Sequence, residues 1–125
     1  MSRPKKITIT WLSQPEKHDY SAAKSFLSLL YRKPQVRTYV RKLRQAAVSE
    51  YKAKDIFRAS GLSLLGVSNS HVERDRQKIT SGQKVSPLLL IRDPVHGKVL
   101  IADGYHRLCA VYSYDEDANI PCKIV

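Results

Sequence analysis

The chain has 125 residues and 42% hydrophobic content, enough for one core-forming domain. No apolar run reaches the roughly 18 residues of a membrane span. The start, MSRPKKITITWLSQPE, is too short and polar in its apolar part for a signal peptide, so a cytoplasmic protein with no membrane partner is expected. Of the +11 net charge, residues 1–58 carry +10, with 14 Lys/Arg against 4 Asp/Glu, an asymmetry that suits a polyanionic partner.

The elements follow in chain order. KITITWL alternates, with Ile7, Ile9 and Trp11 on one side, and predicts a strand with one buried face. DYSAAKSFLSLLYRK carries Ala23, Phe26, Leu27 and Leu30 at core-facing helical spacing, with Asp19 or Ser21 as N-cap. Pro34 opens a second helix with Val36, Tyr39, Val40, Leu43 and Ala47 on its apolar side. Lys33, Arg37, Arg41 and Arg44 line its other side, and no acid interrupts residues 33–49. Opposite charges normally alternate on a solvated helix face because such pairs stabilise it. The stripe is therefore either a solvated face or a contact surface for nucleic-acid phosphates.

YKAKDIFRASGL predicts a short strand or turn ending at Gly61, and SLLGVSNS a linker. Ser70 and Glu73 form a capping-box pattern for a helix that buries Val72 and Ile79 and ends near Gly82. His71, Arg74 and Lys78 share one face of it. VSPLLLIRD predicts a buried strand, PVHG a turn and KVLIA its hairpin partner. A helix with Leu108, Val111 and Tyr112 follows, and IPCKIV is a closing strand. The pattern is α/β: a small mixed sheet with packed helices. Cys109 and Cys122 match no zinc or CxxC spacing and are expected to be reduced, buried thiols. The four histidines form no metal motif, and no metal site is expected.

Residues 100–112, LIADGYHRLCAVY, hold the most informative junction. The first N–H groups of a helix lack internal partners and carry partial positive charge. Gly104 would let an anion approach closely, Asp103 would cap the helix or hold the turn, and His106 and Arg107 would donate to the anion. The alternative is structural: Arg107 pairs with a nearby carboxylate, Asp103 itself being the nearest in sequence.

PLLLIRDPVHGKVLIADGYHRLCAVYSYDEDANIPCKIV resembles the C-terminal half of the ParB/sulfiredoxin superfamily domain. The shared pattern is a hairpin, a Gly-x-His/Arg-Arg turn opening a helix, and a strand starting Ile-Pro. KAKDIFRASGL and VERDRQKITSGQKVSP are similar to the earlier strand and helix of that domain. On this resemblance residues 1–125 form a single domain, with a family-like core at 52–125 and a basic, strand-plus-helical extension at 1–50 that has no assigned counterpart. The resemblance implies a nucleoside triphosphate, with Mg²⁺, whose phosphates sit on the turn. Gly104, His106 and Arg107 match that turn, with Tyr105 between them. His71, Arg74 and Lys78 fall on the helix that adds polar nucleotide contacts in some members, though their identities differ.

The departures narrow the chemistry. Sulfiredoxins carry Gly-Cys-His-Arg; Tyr105 replaces the reactive cysteine, so sulfinic-acid reduction is not expected. Partition proteins carry Gly-Glu-Arg-Arg and bind CTP; Tyr105 and His106 replace Glu and Arg. DGYHR is most similar to the Asp-Gly-His-His-Arg of the superfamily's free-serine kinases. That implies NTP hydrolysis or phosphate transfer to a small molecule, with Asp55 and Asp103 as candidate catalytic carboxylates. The alternatives are a non-catalytic, sequence-independent nucleic-acid-binding module using Lys33, Arg37, Arg41 and Arg44, and a protein-binding domain that keeps the turn only as structure.

Overall fold

A computed structural model describes residues 7–66 and 68–125. Lys5 and Lys6, in the basic start, and Val67, in the linker, lie outside the described residues. In order, these residues form α1 (Lys17–Leu27), α2 (Lys33–Gln45), β1 (Ser49–Lys52), α3 (Ala53–Ser60), α4 (Ser70–Thr80), β2 (Leu88–Asp93), β3 (Lys98–Asp103), α5 (Tyr105–Tyr114) and β4 (Asn119–Ile124). The result is a small α/β protein whose described residues hold five helices and a four-stranded mixed sheet.

The sheet order is β1-β4-β2-β3, with β2 and β4 parallel and the outer pairings antiparallel. Helices cover both faces, which is why LLLI of β2 is apolar without alternation. Leu89 and Ile91 pack with Tyr20, Ala23 and Leu27 of α1 and Val36, Val40 and Leu43 of α2. On the opposite face Leu88, Leu90, Ile120 and Cys122 pack with α3, α4 and α5 through Ile56, Val72, Ile79, Leu108 and Val111. Lys123 is buried; its Nζ donates to the Arg44 carbonyl at 3.0 Å, placing a cation at the C-terminal end of α2.

Several local expectations are corrected. Among the described residues of KITITWL, 7–12, there is no extended strand; Trp11 makes a single parallel bridge to Val85. The partner segment runs at once into Pro87, which has no N–H to continue a ladder. YKAKDIFRASGL is not a strand ending at Gly61. Ser49–Lys52 is the strand, and Ala53–Ser60 is helix α3, burying Ala53, Ile56 and Ser60 and capped by Gly61 at φ +66°. α1 ends at Leu27, so Phe26 and Leu30 are 38% and 51% exposed, and Tyr20 takes the core position instead. Ala47 is also exposed. Asp19 is not the N-cap of α1: its Oδ2 accepts from the Glu16 N–H at 2.7 Å in a reciprocal capping box. The cap of α4 is Asn69 rather than Ser70, its Oδ1 accepting from the N–H groups of His71 and Val72 at 3.0 and 3.2 Å.

Candidate functional site

The hairpin β2–β3 carries an irregularity at its end: Leu90 pairs with Ile101, but Leu89 pairs with Asp103. The extra residue, Ala102, has no partner in the ladder, and the strand ends at Asp103, one residue before Gly104. Gly104 sits at φ +109°, a conformation that side-chain-bearing residues rarely adopt, and is the N-cap of α5. A Cβ there would lie 2.7 Å from Leu88 Cγ and 3.0 Å from Arg107 Nη2. The space freed by glycine is therefore filled by the core and by Arg107, not left open to an anion.

Asp103 is not the cap of α5. Its Oδ2 accepts from Arg107 Nη2 at 3.0 Å, and both side chains are largely buried. Arg107 Nε donates to the Ser86 carbonyl at 3.0 Å and Nη2 to the Pro87 carbonyl at 3.4 Å. Arg107 thus ties the turn to the segment entering β2. Burial pushes the Asp103 carboxyl above the ordinary carboxylate value; Arg107 opposes this, and a second carboxylate, Asp19 of α1, reinforces it.

Helix α4 lies across α5 and completes the site. Arg76 fixes this crossing: Nη1 donates to the Ser113 hydroxyl, the guanidinium lies 4.2 Å from the Tyr114 ring centre, and its carbonyl accepts from the Tyr114 hydroxyl at 3.3 Å. His71, Arg74, Asp75 and Lys78 of α4 then line one cleft of about 180 Å³ with Asp103, Gly104, Tyr105, His106 and Arg107. The rings of His71 and His106 stand 4.9 Å apart. Burial and His71 lower the pKa of His106, against the pull of Asp75. α5 has no side-chain cap and no acid in its first turn, so the positive end of its dipole faces an all-donor neighbourhood apart from Asp75 and Asp103.

All seven residues expected around the turn and its preceding helix thus meet in one place. Asp55 does not join them. It is exposed on α3 and lines a separate cleft with Tyr51, Ala59 and Arg92, because its segment is helical rather than extended. Asp103 does reach the site, held by Arg107, and a second carboxylate there, Asp75, was not among the residues expected from sequence. Its signal was the spacing His71, Asp75, Lys78, which is i, i+4, i+7 on one helix face. Burial raises the Asp75 pKa, while Arg107, Lys78, His106 and His71 pull it down.

Lys33, Arg37, Arg41 and Arg44 lie exposed along α2, in the layer on the opposite face of the sheet. Among the described residues, no ion pair involves any of the four. Arg44 places its guanidinium 5.0 Å from the Tyr20 ring centre. Cys109 and Cys122 are free and buried, and burial raises both thiol pKa values, that of Cys122 to about 11. Among the described residues, no helix is long and apolar enough to cross a membrane. No family model matches the chain, and neither does any curated protein or solved structure.

Proposed function

We propose that the chain is a ParB/sulfiredoxin-like nucleotide-binding protein that holds NTP phosphates in the cleft between α4 and the start of α5. One observation carries this reading: His71, Arg74 and Lys78 converge with His106 on a helix N-terminus that no side chain caps. Asp103 is paired with Arg107, so the remaining donors exceed the one other carboxylate lining the cleft, Asp75, and this set suits a polyanion. Arg107 Nε and Nη2 are engaged by carbonyls and by Asp103, so Arg107 adds charge and shape while His71, Arg74, Lys78 and His106 supply direct contacts.

Mg²⁺ bound with a nucleotide needs one or two carboxylates beside the phosphates, and Asp75 is the cleft carboxylate that the turn does not tie down. When bound, Mg²⁺ would neutralise triphosphate charge. Among the described residues, only Glu16, His18 and Asp19 cluster as three metal ligands, and they form the cap of α1. In this reading the metal arrives with the nucleotide, and Asp75 is the carboxylate that would face it. Asp75 replaces Asp55 as the candidate carboxylate for hydrolysis or phosphate transfer. Tyr105 turns its hydroxyl onto the Ser63 carbonyl, and sulfinic-acid chemistry is not part of the proposal.

The test is calorimetric titration with ATP, CTP and GTP in Mg²⁺, with thermal unfolding alongside. A ligand at 100 times its Kd should stabilise the fold by about 2.7 kcal/mol. Binding of none of the three would overturn the reading.

A second reading, a non-catalytic contact with nucleic-acid phosphates, rests on the exposed and acid-free stripe of α2. It concerns a different layer of the molecule and is tested separately below.

A further inference from the structure

The Asp103–His106 turn has a second side. A cleft of about 440 Å³ shares Asp103, Gly104, Tyr105 and His106 with the cationic cleft, so the two meet at one wall. Its character is opposite. Val99, Leu100, Ile101 and Ala102 of the edge strand β3 line it, together with Ser60, Leu62 and Phe26 of α1. The hydroxyl of Tyr105 donates to the Ser63 carbonyl and so joins the Leu62 wall to the turn. Phe26 and Leu62 are 38% and 47% exposed, so both present apolar surface to the cleft.

We propose that this apolar cleft takes the nucleobase of a nucleotide whose phosphates lie in the cationic cleft. The proposal rests on the nucleotide reading above and adds the part of the ligand that the cationic cleft cannot hold. An occupant that is apolar and ring-shaped on one side of the turn and polyanionic on the other fits the paired surfaces. A cleft of this volume accommodates a base and its sugar, and the aromatic Phe26 and Tyr105 suit a base's π-face. The inference also gives the N-terminal segment a task. α1 packs beneath the turn, with Asp19 beside Asp103, and Phe26 on the same helix closes the cleft. Residues before position 50 thus complete a ligand site whose phosphate half lies after position 70.

The experiment compares ATP and CTP with inorganic tripolyphosphate, all with Mg²⁺, on the full chain and on Phe26→Ala. The substitution is at an exposed position, and tripolyphosphate binding serves as its folding control. The tighter nucleotide should exceed tripolyphosphate about tenfold in affinity, because stacking of one base is worth about one such factor. Phe26→Ala should remove most of that advantage and leave tripolyphosphate binding unchanged. Nucleotides and tripolyphosphate binding alike, or Phe26→Ala weakening both equally, would overturn the base site and leave the phosphate site standing. Binding of neither class would overturn both.

Discussion

Two basic regions of this protein look alike in composition and differ in geometry. The α4–α5 cleft gathers His71, Arg74, Lys78 and His106 around one concavity, with Asp75 among them and Arg107 anchored behind. The α2 stripe spreads Lys33, Arg37, Arg41 and Arg44 along an exposed helix on the other face of the sheet. Convergence concentrates charge on a single small anion, whereas a stripe with regular spacing matches a repeating one. The sheet lies between the two regions.

The largest expected effect tests whether the cleft is a by-product of the turn. Gly104→Ala places a side chain at φ +109° and 2.7 Å from Leu88. Backbone strain and overpacking together should cost about 2–4 kcal/mol in a urea unfolding series. A loss below about 1 kcal/mol would mean the turn relaxes easily and holds no fixed geometry.

Arg107→Ala should come next, destabilising the free protein by about 2–3 kcal/mol. It strips a largely buried Asp103 of its cation and leaves two carbonyls without that donor. Lys78→Gln should instead leave stability within about 0.5 kcal/mol, since Lys78 is exposed, and weaken triphosphate binding about tenfold. Equal stability losses from the two variants would erase the distinction between an anchoring and a contacting cation.

The stripe is separable by salt. Replacing Arg37, Arg41 and Arg44 by Gln should leave nucleotide affinity unchanged. It should flatten the slope of log affinity for duplex DNA against log salt by up to about 0.9 per lost contact, alike for all sequences. Arg44 should contribute least, because its guanidinium already lies over Tyr20. An unchanged slope would make the stripe a solvated face.

The smallest effect concerns pH. The pKa of His106 is held below its ordinary 6.5 by burial and His71. In the free protein its contribution to stability is therefore present above that value and lost as pH falls through the folded value. A bound anion favours the imidazolium, so the sign reverses for binding. Affinity for sulfate, whose own charge is constant, should rise severalfold between about pH 8 and pH 5.5. His106→Gln should reduce that rise; an unaltered profile would place the responsible proton elsewhere in the cleft.

Much of this was legible from local pattern. The β2–β3 hairpin, the switch to helical spacing after Gly104, the burial of Val72 and Ile79, and the shared face of His71, Arg74 and Lys78 all follow from periodicities that neighbouring residues impose on one another. Even the choice at Arg107 could be posed from sequence, because Asp103 is its i−4 neighbour. What sequence left open was settled by contacts between distant segments. α3 is not legible in the sequence because AKDIFRAS is short and its burial depends on a sheet that sequence does not display. Asp75 escaped because a carboxylate on a mixed helix face is unremarkable until α5 is laid across it. The engagement of Arg107 by Ser86 and Pro87 joins positions about twenty residues apart, and the cleft that Phe26 and Tyr105 both line joins α1 to a turn formed much later in the chain. Periodicity fixes which face of an element is apolar; only packing decides which other element meets that face, and a site made of several elements exists only after that decision.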